Sequence, residues 1–110
     1  MIVNGKNVRL PKRFKDKWVK ALRSKNYKQG KNYLYIQDKS GNFKYCCMGV
    51  LCEISGKEYK NSDVQSPLKN KDFVPKDFRE CKEIQERLSK MNDSGRWSFN
   101  KISNWIEKNL

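Results

Sequence analysis

The sequence contains no histidine, only six glycines, and twelve acidic residues against twenty-five Lys and Arg. The missing histidine removes the commonest general base and the usual activator of a serine or cysteine nucleophile. It also leaves zinc with only cysteines and carboxylates as ligands. The glycines are scattered, so there is no Gly-rich phosphate loop, and no two carboxylates are placed together by spacing. An enzyme is therefore the least favoured class, although Asp93 is a conceivable acid or base. No apolar run approaches the roughly 20 residues of a membrane-spanning helix. Residues 1–6 hold neither a long apolar stretch nor a cleavage site, so a cytoplasmic location and no membrane partner are expected.

What is present is positive charge, unevenly placed. Residues 1–31 carry eleven Lys/Arg and one acid, Asp16, a net of +10, whereas residues 32–110 carry fourteen Lys/Arg and eleven acids, a net of +3. A field of that kind concentrates polyanions: nucleic acid, nucleotides or an acidic protein. The competing reading is a solvated face that only confers solubility. Charged residues make up 34%, a proportion that would suggest disorder without the thirteen aromatics set at helical or strand spacing. At 110 residues the chain is read as one domain, 1–110, with a modest core.

The centre of that core is the nearly uncharged stretch 45–56, Tyr-Cys-Cys-Met-Gly-Val-Leu-Cys-Glu-Ile-Ser-Gly. It reads as a strand end turning into a buried helix closed by Gly56, with Gly49 leaving room for a close neighbour. Its cysteines are assigned to packing. Adjacent Cys46 and Cys47, with Cys52 and Cys81, lack the paired spacing of a structural zinc site, and disulfides are not the default of reduced cytosol.

Upstream, residues 1–3 followed by Asn4-Gly5 read as a strand and turn, pairing later at a sheet edge. Leu10-Pro11 opens an amphipathic helix with Phe14, Trp18 and Leu22 inward, and Lys12, Arg13, Lys20 and Arg23 forming a basic ridge on the other side. Residues 25–31 read as a loop. Residues 32–37 and 43–46 read as a hairpin with Leu34 and Ile36 toward the core and Tyr33 and Tyr35 on the other face, as cover or as a stacking platform. Residues 57–71 read as an irregular excursion anchored by Val64 and Leu68, followed by a short extended piece at Phe73-Val74-Pro75. A helix with Ile84, Leu88 and Met91 inward then ends at residues 92–95. Ser98 caps a last helix with Phe99, Ile102, Trp105, Ile106 and Leu110 as its buried stripe.

Three blocks, WVKALRSKNYKQG at 18–30, YCCMGVLCE at 45–53 and the ending 88–110 with Asn92-Asp93-Ser94-Gly95 and Ser98-Phe99, resemble a widespread family of small tailed-bacteriophage proteins. In those proteins the patterns W-x-x-A-L-R-S, C-C-L-G-V-L-C and L-N-D-x-G-x-S-F recur in that order, and Met48 here replaces the usual leucine. The resemblance implies a phage product acting in the bacterial host cytoplasm and carries over no catalytic residue.

The expected fold is α+β: a small single domain of three to four helices packed with a β-hairpin or small antiparallel sheet. The expected function is non-catalytic binding in counter-defence or host takeover, sequestering an anionic nucleotide signal of host immunity or an acidic host factor, without a cofactor. The alternative is a DNA- or RNA-binding accessory module, favoured by the basic third and by Tyr27, Tyr33 and Tyr35. A homo-oligomer is compatible with either. The candidate ligand site joins Tyr27, Lys28, Gln29 and Lys31 of the first loop to Asn92, Asp93 and Arg96 before the last helix. Cations, amides, a stacking ring and a glycine are the groups an anionic nucleotide requires. Asp93 as a simple turn residue is the competing reading.

Overall fold

A computed structural model describes residues 1–110. Asn4 and Gly5 both take positive φ, a two-residue hairpin turn, so β1 (Ile2–Val3) pairs at once with β2 (Lys6–Asn7) rather than with a distant sheet edge. Val8 and Leu10 then enter the core, and Pro11 precedes α1 (Lys12–Arg23), whose Phe14, Trp18, Val19 and Leu22 are buried.

Residues 25–31 are more than a loop. Lys28–Gln29 forms β3, parallel to β5 (Phe43–Tyr45), which also pairs antiparallel with β4 (Tyr35–Gln37), giving a mixed sheet in the order β3-β5-β4. Leu34 packs against the core, but Ile36 is exposed, against expectation. The sheet is too short to cover it: Ile36 lies opposite Lys44, while Tyr35 packs edge-on against Phe43 and Tyr59.

The cysteine-rich stretch forms α2 (Cys47–Ile54), capped by the Cys46 sulfur, which accepts a bond from the Gly49 amide at 3.3 Å. Gly49 lies directly against the Leu34 carbonyl, and a methyl group there would have no room. The excursion read as irregular over 57–71 contains a single helical turn, α3 (Gln65–Leu68), and a second turn, α4 (Lys76–Arg79), follows Pro75; with Val74 between them they bury Leu68 and Phe78. Phe78 meets Trp18 edge-on at 5.5 Å, so this segment roofs the inward face of α1.

The last two helices are α5 (Lys82–Asp93) and α6 (Phe99–Asn109), the latter capped by the Ser98 hydroxyl, which accepts from the Lys101 amide at 3.2 Å. In α5 it is Asn92, not Met91, that completes the buried stripe with Ile84 and Leu88. Trp105 of α6 is half-buried and lies under the Arg87 guanidinium at 5.3 Å rather than in the core stripe. The fold is α+β, with α2 buried between α1 and α5. Helix α6 packs mainly on α1 and then on α5, not on α2. No helix is long and apolar enough to cross a membrane.

Candidate functional site

The expected ridge on α1 is shorter than its sequence suggests. Arg23 faces α6, donating to the Ser103 hydroxyl, the Asn104 side-chain oxygen and both Glu107 oxygens at 2.7–3.2 Å. Those bonds and the charge of Arg23 lower the Glu107 carboxyl below its ordinary range. Lys12, Arg13, Lys17 and Lys20 stay exposed.

The structure does bring the two proposed loops together, but it closes them on each other. Gln29 donates from Nε2 to Asn92 Oδ1 at 3.0 Å and to the Trp97 carbonyl at 2.7 Å. Asn92, completely buried, also accepts from the Cys47 amide at 3.2 Å and donates to the Gly30 carbonyl at 2.8 Å and to Asp93 Oδ1 at 3.1 Å. That is two bonds accepted and two donated, the full capacity of a carboxamide. Asp93 accepts in addition from the Asn32 amide at 2.9 Å. Tyr27 packs edge-on against Tyr45 at 5.4 Å. Gly95, at φ +75°, lets Lys31 lie over its backbone; a β-carbon there would stand 2.6 Å from the Lys31 ammonium. Of the seven proposed residues, Lys28, Lys31 and Arg96 remain exposed, while Gln29, Asn92 and Asp93 tie β3, the start of α2 and the end of α5 together. No large concavity opens among them.

The cysteines are also inward. Cys47 donates its thiol to the Leu88 carbonyl at 3.5 Å, and Trp18 Nε1 donates to the Cys47 carbonyl at 3.2 Å. Burial pushes the thiols of Cys46, Cys47 and Cys52 upward, Cys52 to about 12, which keeps them protonated at neutral pH. No three cysteine or carboxylate side chains converge as a metal site would require.

The groups without internal partners gather at the start of α1. A concavity of about 430 Å³ lies between the first turns of α1 and residues 71–75, lined by Pro11, Arg13, Phe14, Lys17, Lys71, Asp72, Phe73 and Pro75. Phe14 and Phe73 meet at 5.0 Å and 63°, and the Lys17 ammonium stands 5.0 Å above the Phe73 ring. Pro11 offers no side-chain cap and the first turn has no acid, so the amides of Lys12, Arg13 and Phe14 have no acceptor in the chain. The only ion pairs in the molecule are Lys6 with Asp77 and Arg23 with Glu107, so Arg13, Lys17 and Lys71 are unpaired. Arg13 was visible in the sequence as part of the ridge, with Lys17 at its flank. Lys71 and Phe73 were not connected to them because more than fifty residues intervene; an aromatic beside Lys-Asp at the end of a polar excursion was the available signal.

Searches of curated proteins and of solved structures found no match to the chain. A family model does match, over residues 10–85, which runs from the approach to α1 into the first turn of α5 and takes in every residue of the α1 concavity while stopping short of Asn92 and α6. The chain belongs to the family described as domain of unknown function DUF8296.

Proposed function

We propose that this is a small phage protein that acts by holding an anionic nucleotide without chemistry, in the concavity beside the first turn of α1. The observation that supports it is the combination there of three cations without an ion pair, the uncapped first turn of α1 at Arg13 and Phe14, and two rings around a space of about 430 Å³. Uncapped N-terminal amides favour a phosphate, and Arg13, Lys17 and Lys71 supply its counter-charge. Phe73 offers a base an apolar edge, and Asp72 an acceptor for a ribose or base donor. The volume lies in the range of small-molecule sites, which run from about 300 to 1,000 Å³. Binding alone suffices for sequestration, a role compatible with a small phage product.

Calorimetry with linear and cyclic nucleotides is the test. Saturable binding of a nucleotide is expected, weakened about tenfold or more by Arg13→Glu or Lys17→Glu with the melting temperature unchanged, since each removes a charge-assisted contact. A second reading, binding along nucleic acid, is favoured by the continuation of the exposed cations down α1 to Lys20. If DNA or RNA binds with a steep salt dependence and no nucleotide does, that reading replaces the first.

A further inference from the structure

A second concavity, of about 290 Å³, has the opposite character. It is lined by Tyr35, Phe43, Tyr45, Glu53 and Tyr59. Tyr35 pairs with Tyr45 across β4 and β5, and Phe43 lies two residues before Tyr45, so strand alternation puts all three rings on one face of the hairpin. Tyr59, from the segment after α2, closes another side. The Tyr35 and Phe43 centroids are 6.0 Å apart at 66°, and those of Tyr35 and Tyr59 are 5.7 Å apart at 81°. Phe43 and Tyr45 stand 6.4 Å apart. Tyr35 stands steeply to Phe43 and to Tyr59, and Phe43 and Tyr45 are inclined at 33°, so the rings line the space without closing into a stack. Tyr27 buttresses Tyr45 from behind at 5.4 Å and 87°.

The carboxylate is held in position. Tyr45 donates its hydroxyl to Glu53 Oε1 at 3.0 Å, and Oε2 accepts no bond from the chain. In a molecule with twenty-five Lys and Arg, Glu53 forms no ion pair. Burial, and the Glu53 carboxylate beside it, push the Tyr45 phenol up to about 12, and burial also raises that of Tyr59. Both rings therefore stay neutral at physiological pH.

We infer that this box of four rings and the Glu53 carboxylate binds an alkylated ammonium group, the charge carried by methylated lysine or by a choline-type headgroup. Ring faces attract cations through their quadrupole, and such aromatic cages are a recurrent solution for ammonium ions without N–H donors. A primary ammonium has three N–H groups to satisfy. Four of the five residues that line this box are aromatic, and beside their rings and phenol oxygens it offers one free carboxylate oxygen, which suits a cation whose charge is spread over methyl groups. The site is independent of the anion site beside α1: it shares no residue with it and selects the opposite charge.

The experiment is an NMR titration of the intact protein with choline and with its neutral isostere 3,3-dimethyl-1-butanol, read on the Tyr and Phe ring protons. Saturable shifts confined to Tyr35, Phe43, Tyr45 and Tyr59 are expected with choline, and affinity about fivefold weaker or worse with the isostere. Glu53→Gln and Phe43→Ala should each weaken choline by a similar factor. Phe43 is 44% exposed, so its truncation leaves the core intact, and an unchanged melting temperature verifies this. A trimethyllysine peptide run beside choline distinguishes the sources: tighter peptide binding assigns the site to a modified protein, tighter choline to a free headgroup. Equal binding of the isostere, shifts elsewhere on the surface, or no saturation with any of the cations would overturn the inference.

Discussion

Where β3 meets the end of α5, amide and carboxylate side chains face one another and satisfy one another; at the start of α1, three cations without an ion pair and the uncapped helix amides lie beside the paired rings of Phe14 and Phe73. Both places gather polar side chains beside an aromatic ring and nearby lysines. They differ in hydrogen-bond accounting: the Asn92 carboxamide at the first is saturated, and the second retains its capacity for an outside group. Polar residues that converge in a sequence reading can be the mortar of a fold as readily as its binding site.

The contrast is most severely tested at Asn92. Asn92→Ala would leave the Cys47 amide and the Gly30 carbonyl without partners in the interior, at about 1–3 kcal/mol each, so a loss of about 4 kcal/mol is expected from urea unfolding. A loss below about 1 kcal/mol would mean that the junction is wetter and more open than described.

Alkaline pH probes the same closed interior. Cys52 rises from 9 to about 12 and Tyr45 from 10 to about 12, both first by burial. A folded-state pKa above the unfolded value contributes stability that is whole below the unfolded pKa and is lost as pH climbs to the folded one. Stability should therefore hold flat from pH 7 to 8.5 and then decline between pH 9 and 12, by roughly 3 kcal/mol from the Cys52 thiol. Denaturant midpoints across that range check it. Thiols that react with Ellman's reagent in the native state at pH 8 would contradict the burial of all four cysteines.

The smallest effect is expected at Lys28, exposed on β3. Lys28→Glu should change stability by no more than about 0.5 kcal/mol, as surface substitutions do. It should leave the affinity of any nucleotide within about threefold, where Lys17→Glu reduces it at least tenfold. The reverse ranking in calorimetry would return the site to the β3 loop.

Helices with strong stripes and caps were legible in the sequence. Phe14, Trp18 and Leu22 mark α1; the stretch ending at Gly56 marks α2; Ser98 caps α6. The close approach at Gly49 was legible too, because only glycine leaves that space. What escaped depends on distant pairing. Two residues of β3 carry no periodicity, and nothing local says that Lys28 will align with Lys44. Ile36 follows strand alternation faithfully, yet the sheet ends before anything covers it. The α3 and α4 turns are too short for a helical stripe. At the site, the meeting of the 28–31 and 92–96 segments was anticipated, but the direction of each amide was not. A single bond rotation decides whether Gln29 points at Trp97 or at solvent.

The partnership of α1 with α6 bears on how the chain reaches this state. Arg23 bonds residues eighty positions away, and the Leu10 amide donates to the Leu110 carbonyl at 2.9 Å. The side of α1 that meets α6 thus waits for a segment some eighty residues further on, while the β4–β5 hairpin, α2 and α5 can assemble over shorter separations. Closing so long a loop costs entropy before the contacts form, and folding slows as the mean separation of contacts grows. Until α6 arrives, α1 lacks the largest of its helix contacts while keeping a cationic outer side, a segment for which a chaperone or an anionic surface competes during synthesis.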